Sequence, residues 1–313
     1  MVRGRAQGQH QGGLNAASSA VTLPPLSEPV PHSAGTRRPL RTLPAFACDA
    51  HMHIFDPRFP PSPHWQRKPP QAPVAAYRGL QQRIGTMRTV IVNPSTYGVD
   101  NTCTLDALDQ LGADARGVAV VDPRVTWAEL ERLASHRVSG LRVNFVSPQS
   151  WGVTTPEMLA TLARKVAPLG WHVQVFAHPE QLMAMEALLA CLPTPLVIDH
   201  MGRCDPAEGA AGTGADVLRR LLDGGNTWVK LSGIYMRSRE GAPGYGDTFA
   251  LGAALARHAP ERLVWGSDWP HTTEPPGSVD DADLVDVLLA WCKDARTLQR
   301  VLLENPARLY GFE

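Results

Sequence analysis

A surplus of either charge is what this chain most plainly lacks. Thirty Lys and Arg stand against thirty Asp and Glu, giving a formal net charge of zero and a pI of about 7.2. With no basic stripe and no polybasic run, the footprint expected for binding nucleic acid or an anionic membrane surface is missing. Long hydrophobic runs are missing too, since none approaches the roughly 18 residues of a membrane-spanning helix. Cysteine is sparse and odd in number. Cys48, Cys103, Cys191, Cys204 and Cys292 are scattered and form no C-x-x-C pair. That pattern excludes a disulfide framework and fits a reducing compartment. The expected setting is the cytoplasm, and the expected partner is a small molecule; a homo-oligomer is compatible with everything above.

Periodicity is absent from residues 1–44. This stretch holds six prolines, five glycines, five arginines and one acidic residue, Glu28. Such a composition buries too little apolar area to offset its ordering entropy, so a disordered tail is expected. Arg37-Arg38 has the look of a twin-arginine signal, but no apolar stretch follows it.

From Phe46 onward the pattern changes. Short apolar runs recur at Phe46–His51, Thr89–Asn93, Gly117–Asp122, Gly140–Phe145, His172–Phe176, Leu196–Asp199, Thr227–Leu231 and Arg262–Gly266. Amphipathic segments separate them: 101–111, 127–136, 156–166, 180–192, 215–223 and 248–258, with terminal helices at 281–291 and 297–304. Thr155-Pro156-Glu157 and Thr126-Trp127-Ala128-Glu129 read as helix starts. Strands apolar on both faces, alternating with helices, imply a parallel sheet covered on both sides. Eight such units over residues 45–313 predict one (β/α)8 TIM barrel. An open dinucleotide-binding sheet is disfavoured: no glycine-rich loop follows the first strand, and Gly212-Thr213-Gly214 lacks the strand-turn-helix setting.

Active sites of such barrels lie at the carboxyl ends of the strands, so polar residues there are the candidates. His51 and His53 are two apart on the first strand and share a face, with Asp49 one step behind. Such a pair serves to bind a metal or to polarise a substrate oxygen. Strand 4 offers Arg142 and Asn144, and strand 5 runs into His178. Strand 6 ends in Asp199-His200-Met201-Gly202-Arg203. Strand 7 carries Lys230 and Ser232, with Tyr235 and Arg237 beyond. Strand 8 ends in Ser267-Asp268-Trp269-Pro270-His271. Packing alone does not account for this many charged and imidazole groups at one end. Lys230 either forms an internal ion pair or serves the site, and His178 either caps the next helix or contacts a ligand. His172 opens its strand at the opposite end and is read as structural.

Six motifs then carry a resemblance. Asp49–Phe55, Gly117–Pro123, Gly140–Phe145, Val197–Arg203, Trp265–His271 and Asn305–Tyr310 together resemble the amidohydrolase superfamily over residues 45–312. Within it they are similar to the branch of 2-pyrone-4,6-dicarboxylate lactonase, sulfomuconolactone hydrolase and galactarolactone isomerase. The resemblance implies a hydrolase that opens a carboxylated lactone in aromatic or sugar-acid catabolism. It makes Asp268 the base that activates water, and His51, His53 and His200 the groups at the substrate carbonyl. Arg142 and Arg203 become carboxylate clamps, suited by their planar fork; Asn144, Tyr235 and His271 complete the substrate contacts. Superfamily members with a metal draw ligands from positions matching His51, His53, His178, His200 and Asp268, a nitrogen and carboxylate set that suits zinc. The dicarboxylate lactonase carries the same histidine pair and works without a metal, so one divalent ion or none is implied.

The chain also departs from the dicarboxylate lactonase. Val146-Ser147-Pro148-Gln149 stands where that enzyme has an extra arginine, Phe176 falls near its strand-5 tyrosine, and Ser232-Gly233-Ile234-Tyr235 replaces a Cys-Pro-Asp-Arg stretch. A less heavily carboxylated lactone is therefore expected. A metal-dependent decarboxylase, a lactone isomerase and a non-catalytic barrel that binds a small acid are the alternatives.

Overall fold

The computed structural model describes Met1 and residues 25–313. Eight parallel strands pair in sequence order: β1 (Cys48–Met52), β2 (Arg88–Val92), β3 (Ala115–Ala119), β4 (Val138–Asn144), β5 (His172–Phe176), β6 (Leu196–Ile198), β7 (Thr227–Leu231) and β8 (Leu263–Trp265). Helices α1 (Val74–Ile84), α2 (Thr102–Leu111), α3 (Trp127–Ser135), α4 (Pro156–Val166), α5 (Pro179–Ala190), α6 (Thr213–Asp223), α7 (Phe249–His258) and α8 (Asp281–Trp291) follow the strands in turn. The predicted (β/α)8 barrel is thus the observed one. Helix α1 has no counterpart among the predicted segments, because its apolar positions are diluted by Arg78, Gln81, Gln82 and Arg83. Both predicted helix starts are present: Thr126 accepts from the Glu129 amide and Thr155 from the Met158 amide.

β1, β5 and β7 are buried along their whole length, as strands covered on both faces must be. A second apolar cluster joins Cys48, Val90, Val118, Val197 and Val264 to Tyr310 and Phe312 of the C-terminal segment. His172 lies there, its ring edge-on to Tyr310 at 5.2 Å, and burial pushes it down to about 3. Its structural role stands.

The seam between β8 and β1 positions the site. The Asp268 amide donates to the His51 carbonyl (2.7 Å) and the His53 amide to the Trp269 carbonyl (2.9 Å). Beneath them Asp49, fully buried, accepts from the Ser267 amide (2.9 Å), the Ser267 hydroxyl (2.6 Å) and Tyr77 (3.0 Å). Gly266 lets the two strands approach, since a Cβ there would lie 2.7 Å from the His51 nitrogen. No side chain larger than hydrogen fits.

The N-terminal expectation needs correction. Residues 25–44 were expected within a disordered tail, yet Val30 and Leu43 are buried against the barrel and Arg37 pairs with Asp283 and Asp286. Docking here rests on single anchors, which leave no periodic pattern. The remainder of that expectation, residues 2–24, lies outside the described residues.

Replacing Asp49 by Ala removes the acceptor of four buried donors: the His51 and Ser267 amides, the Ser267 hydroxyl and the Tyr77 hydroxyl, of which only Tyr77 has Thr89 to turn to. A loss of about 3 kcal/mol is expected, because each unsatisfied buried group costs about 1–3 kcal/mol. Urea unfolding of Asp49→Ala against the parent protein checks it; an unchanged midpoint refutes it.

Candidate active site

The strand-end residues converge on Asp268. Its Oδ1 lies 3.5 Å from His51 Nε2 and 3.4 Å from His53 Nε2, while Tyr235 donates its hydroxyl to Oδ2 at 2.6 Å. The His51 and His53 rings stand 5.0 Å apart and perpendicular, and His200 stacks 4.7 Å from His51. His53 Nδ1 meets the Val92 carbonyl at 2.7 Å and so carries a proton, which fixes the ring with Nε2 turned toward Asp268. His200 Nδ1 is held by Ser232 at 2.8 Å.

Beneath the histidines lies a buried ionic layer. Asp199 accepts from Arg142 Nε (3.1 Å) and Gln174 (3.0 Å), and its other oxygen faces His51 Nδ1 at 3.4 Å. Lys230, fully buried, donates to Gln174 (2.6 Å) and sits 3.2 Å from His51 Nδ1 and 3.8 Å from Asp199. Lys230 is therefore both of the things its position allowed: an internal ion-pair partner and a neighbour of the site.

The electrostatics follow from burial and from this layer. Burial alone pushes the Asp268 carboxyl up, but His200, His53 and His51 more than offset it and hold it well below the usual range. Asp199 is likewise held low, against its burial, by His51, Lys230 and Arg142. His51 goes down through burial and the Lys230 charge, and burial also lowers His200. At neutral pH Asp199 and Asp268 are therefore carboxylates, and the downward shifts of His51 and His200 favour their neutral forms.

Backbone conformation matches function here. His200, Met201 and Arg203 take positive φ (50°, 50° and 53°), as do Asp268 (62°) and His271 (58°). Such left-handed non-glycine residues persist only where their surroundings over-determine them.

Not every predicted contact reaches the centre. Asn144 spends its oxygen on the Val146 and Ser147 amides and donates to Ser95, which shapes the wall. Arg203 lies over the Phe176 ring (5.3 Å), with Arg142 also 4.9 Å from that ring. His271 binds Asp281 at 3.1 Å and faces Tyr235 edge-on at 5.0 Å. Two sets of donors lie close enough to hold a metal: His51, His53 and Asp268, and His51, Asp199 and His200. Among the described residues His178 joins neither, and it stands instead as the residue capping α5. This corrects its placement in the metal set. Pro179 follows it at the first helical position, so His178 stands at the start of α5.

The first set fits an ion. Bond lengths of about 2.0–2.1 Å in a tetrahedron put ligand atoms roughly 3.3 Å apart, near the 3.4–3.5 Å found between Asp268 Oδ1 and the two imidazole nitrogens. His51 Nε2 is moreover buried with no hydrogen-bond partner. Beyond the residues assigned a role, three buried groups complete the layer beneath them. Asp199, Lys230 and Gln174 are visible as polar residues on buried strands, but the β1–α1 loop carrying Trp65 and Arg67 gives no such signal. That loop walls both the inner cleft and a neighbouring cavity of about 260 Å³.

This geometry agrees with the comparisons. The amidohydrolase family matches residues 48–312, and the chain belongs to it. It is similar to 4-sulfomuconolactone hydrolase of Rhizobium radiobacter, at 33% identity over 92% of this chain and 97% of that protein. It is also similar to 2-pyrone-4,6-dicarboxylate hydrolase of Comamonas testosteroni (34%, over 90% and 95%). D-galactarolactone isomerase of Agrobacterium fabrum shares 31% identity over 91% of this chain and 97% of its own. No helix among the described residues is long and apolar enough to cross a membrane.

Lys230 makes one pH effect predictable. Burial, against the pull of Asp199, lowers it from 10.5 to about 8. The folded state then releases this proton before the unfolded state does, so folding stability rises as pH climbs from about 8 to 10.5. At about 1.4 kcal/mol per unit the gain is about 3 kcal/mol. Thermal unfolding between these pH values should show the rise, and Lys230→Met should flatten it.

Proposed function

We propose that this protein opens a lactone bearing an acidic group, with Asp268 as general base. The observation that carries the reading is the Asp268 carboxylate, buried yet ionised, with Oδ2 fixed by Tyr235 and Oδ1 turned toward two imidazoles. A water in the cleft gives its proton to Asp268 as its oxygen adds to the lactone carbonyl. Charge developing on the carbonyl oxygen is met by donors from the histidine cluster, already in place before the reaction. The ring C–O bond then breaks, and the leaving oxygen takes back the proton held by Asp268. Water plus lactone thus become a hydroxy acid. Arg142 binds Asp199 through Nε alone, and its terminal nitrogens, which make no hydrogen bond among the described residues, receive the substrate's acidic group. Arg203, Asn144 and His271 line or support the surrounding walls.

His51, His53 and Asp268 would hold a divalent ion, with zinc favoured by the donor types. Bound there it would polarise a carbonyl oxygen and acidify a water. An isomerase is the second reading, favoured by the galactarolactone isomerase relative: a substrate hydroxyl in place of water would use the same base.

Asp268→Asn is expected to lower kcat by about 10²–10⁴-fold, the usual weight of general acid–base catalysis, while leaving the protein folded. A pH-indicator screen of acidic lactones, with and without chelator, tests the reading. Carbon dioxide release from an aromatic acid with no lactone opened would sink it. Product analysis separates ring-opened acid from rearranged lactone.

Elemental analysis of protein purified without chelator is expected to find about one zinc per chain. His53→Ala should weaken its retention more than the roughly 10–100-fold typical of losing a residue that only orients a ligand.

A further inference from the structure

We propose that residues 30–37 form a positioning strap for the loop that carries Asp268 and His271, so that the N-terminal segment is part of the catalytic apparatus. Two contacts carry this. The Pro31 carbonyl accepts from the Trp269 indole at 2.9 Å, and the His32 ring packs edge-on against Trp269 at 5.8 Å. Trp269 directly follows Asp268. Two residues along, Ser33 donates to Asp281 Oδ2 at 2.5 Å, the same oxygen that faces His271 Nε2 at 3.1 Å. Ser33, Asp281 and His271 are all buried. Arg83, buried as well, donates to Ser33 at 3.0 Å and to Asp280 at 2.5 Å. Arg37 clamps the far end of the strap on Asp283 and Asp286.

The loop so held needs support. Asp268 and His271 both take left-handed backbone conformations, which relax unless neighbouring groups fix them. The seam with β1 fixes the amide of Asp268 and the carbonyl of Trp269. What remains is the Trp269 side chain, which the strap touches directly, and the His271 ring, which it reaches through Asp281. His271 in turn packs edge-on against Tyr235, which aims the Asp268 carboxylate. Ser33 therefore acts on Asp268 through Asp281, His271 and Tyr235, as a positioning residue rather than a catalytic one.

The kinetic arm of the test rests on the lactone-opening reading; the spectroscopic arm does not. In the full-length chain, Ser33→Ala is expected to lower kcat roughly tenfold, the weight of one hydrogen bond to a charged group, with KM within about twofold. Ser33→Thr, which keeps the hydroxyl, should restore most of it. Leu40→Ser, at an exposed position beyond the strap, should change neither. By NMR of histidine-labelled protein, the His271 ring proton bonded to Asp281 should shift in Ser33→Ala and return in Ser33→Thr. A Ser33→Ala protein with unchanged kcat but a lower melting temperature overturns the proposal, as does a change confined to KM. If the parent protein opens no lactone, the functional reading fails on its own, and an unmoved His271 signal in Ser33→Ala then overturns the strap. Should Ser33→Ala not fold, Ser33→Cys, with its weak donor, carries both measurements with the same expectations.

Discussion

Everything at the mouth of this barrel depends on keeping charges buried in balance. Asp199 and Asp268 are two carboxylates; Arg142 and Lys230 are two cations; none of the four is more than marginally exposed. Transferring any one of them alone from water would be prohibitive, so each is held by partners within hydrogen-bonding distance. The balance also sets the imidazoles. Burial first, and then the two positive side chains among them, lower His51 and His200, and neutral imidazole is the form that can accept a proton, donate one or bind a metal. The layer beneath the histidines thus acts as an electrostatic foundation for the groups above it.

His51 is where that foundation touches the chemistry. Its Nδ1 lies between the Lys230 ammonium at 3.2 Å and the Asp199 carboxylate at 3.4 Å. An ammonium can only donate, so pairing with Lys230 puts the His51 proton on Nε2, aimed at Asp268. Pairing with Asp199 puts the proton on Nδ1 and frees the Nε2 lone pair for an ion. One constellation therefore supports either a direct grip on the substrate or a metal, and the choice lies in a lysine and an aspartate outside the His-x-His motif. That is why the motif alone left both chemistries open.

The barrel was legible because its signals are local. β5 and β7 occupy the residues predicted for them, since a buried parallel strand is a continuous apolar run with sharp polar ends. The convergence of His51, His53, His200 and Asp268 was legible for a related reason: in this architecture the carboxyl ends of all strands meet. Tertiary partnerships were not legible. Nothing about His271 in sequence reveals that Asp281 holds it, and nothing about His178 reveals that it stands at a helix start away from the ion-binding donors. The same holds for residues 25–44. Their composition matches a disordered chain, but a few side chains find specific partners on a surface that exists only after folding.

The seam and the strap then divide the work by age of contact along the chain. β1 and β8 lie more than 200 residues apart, and Gly266 is required because their backbones nearly touch at His51. A side chain at Gly266 cannot be absorbed by a rotamer change, because it would meet the His51 backbone. The cavity outside it is different. Its walls come from His32 of the N-terminal segment, Trp65 and Arg67 of the β1–α1 loop and His271 of the last strand-end loop. Loops on a rigid scaffold accept changes that strands do not. Arg67 lies over the Trp65 ring at 4.9 Å and lines both cavities. A cation on such a loop can be changed without disturbing the strands that carry the catalytic groups.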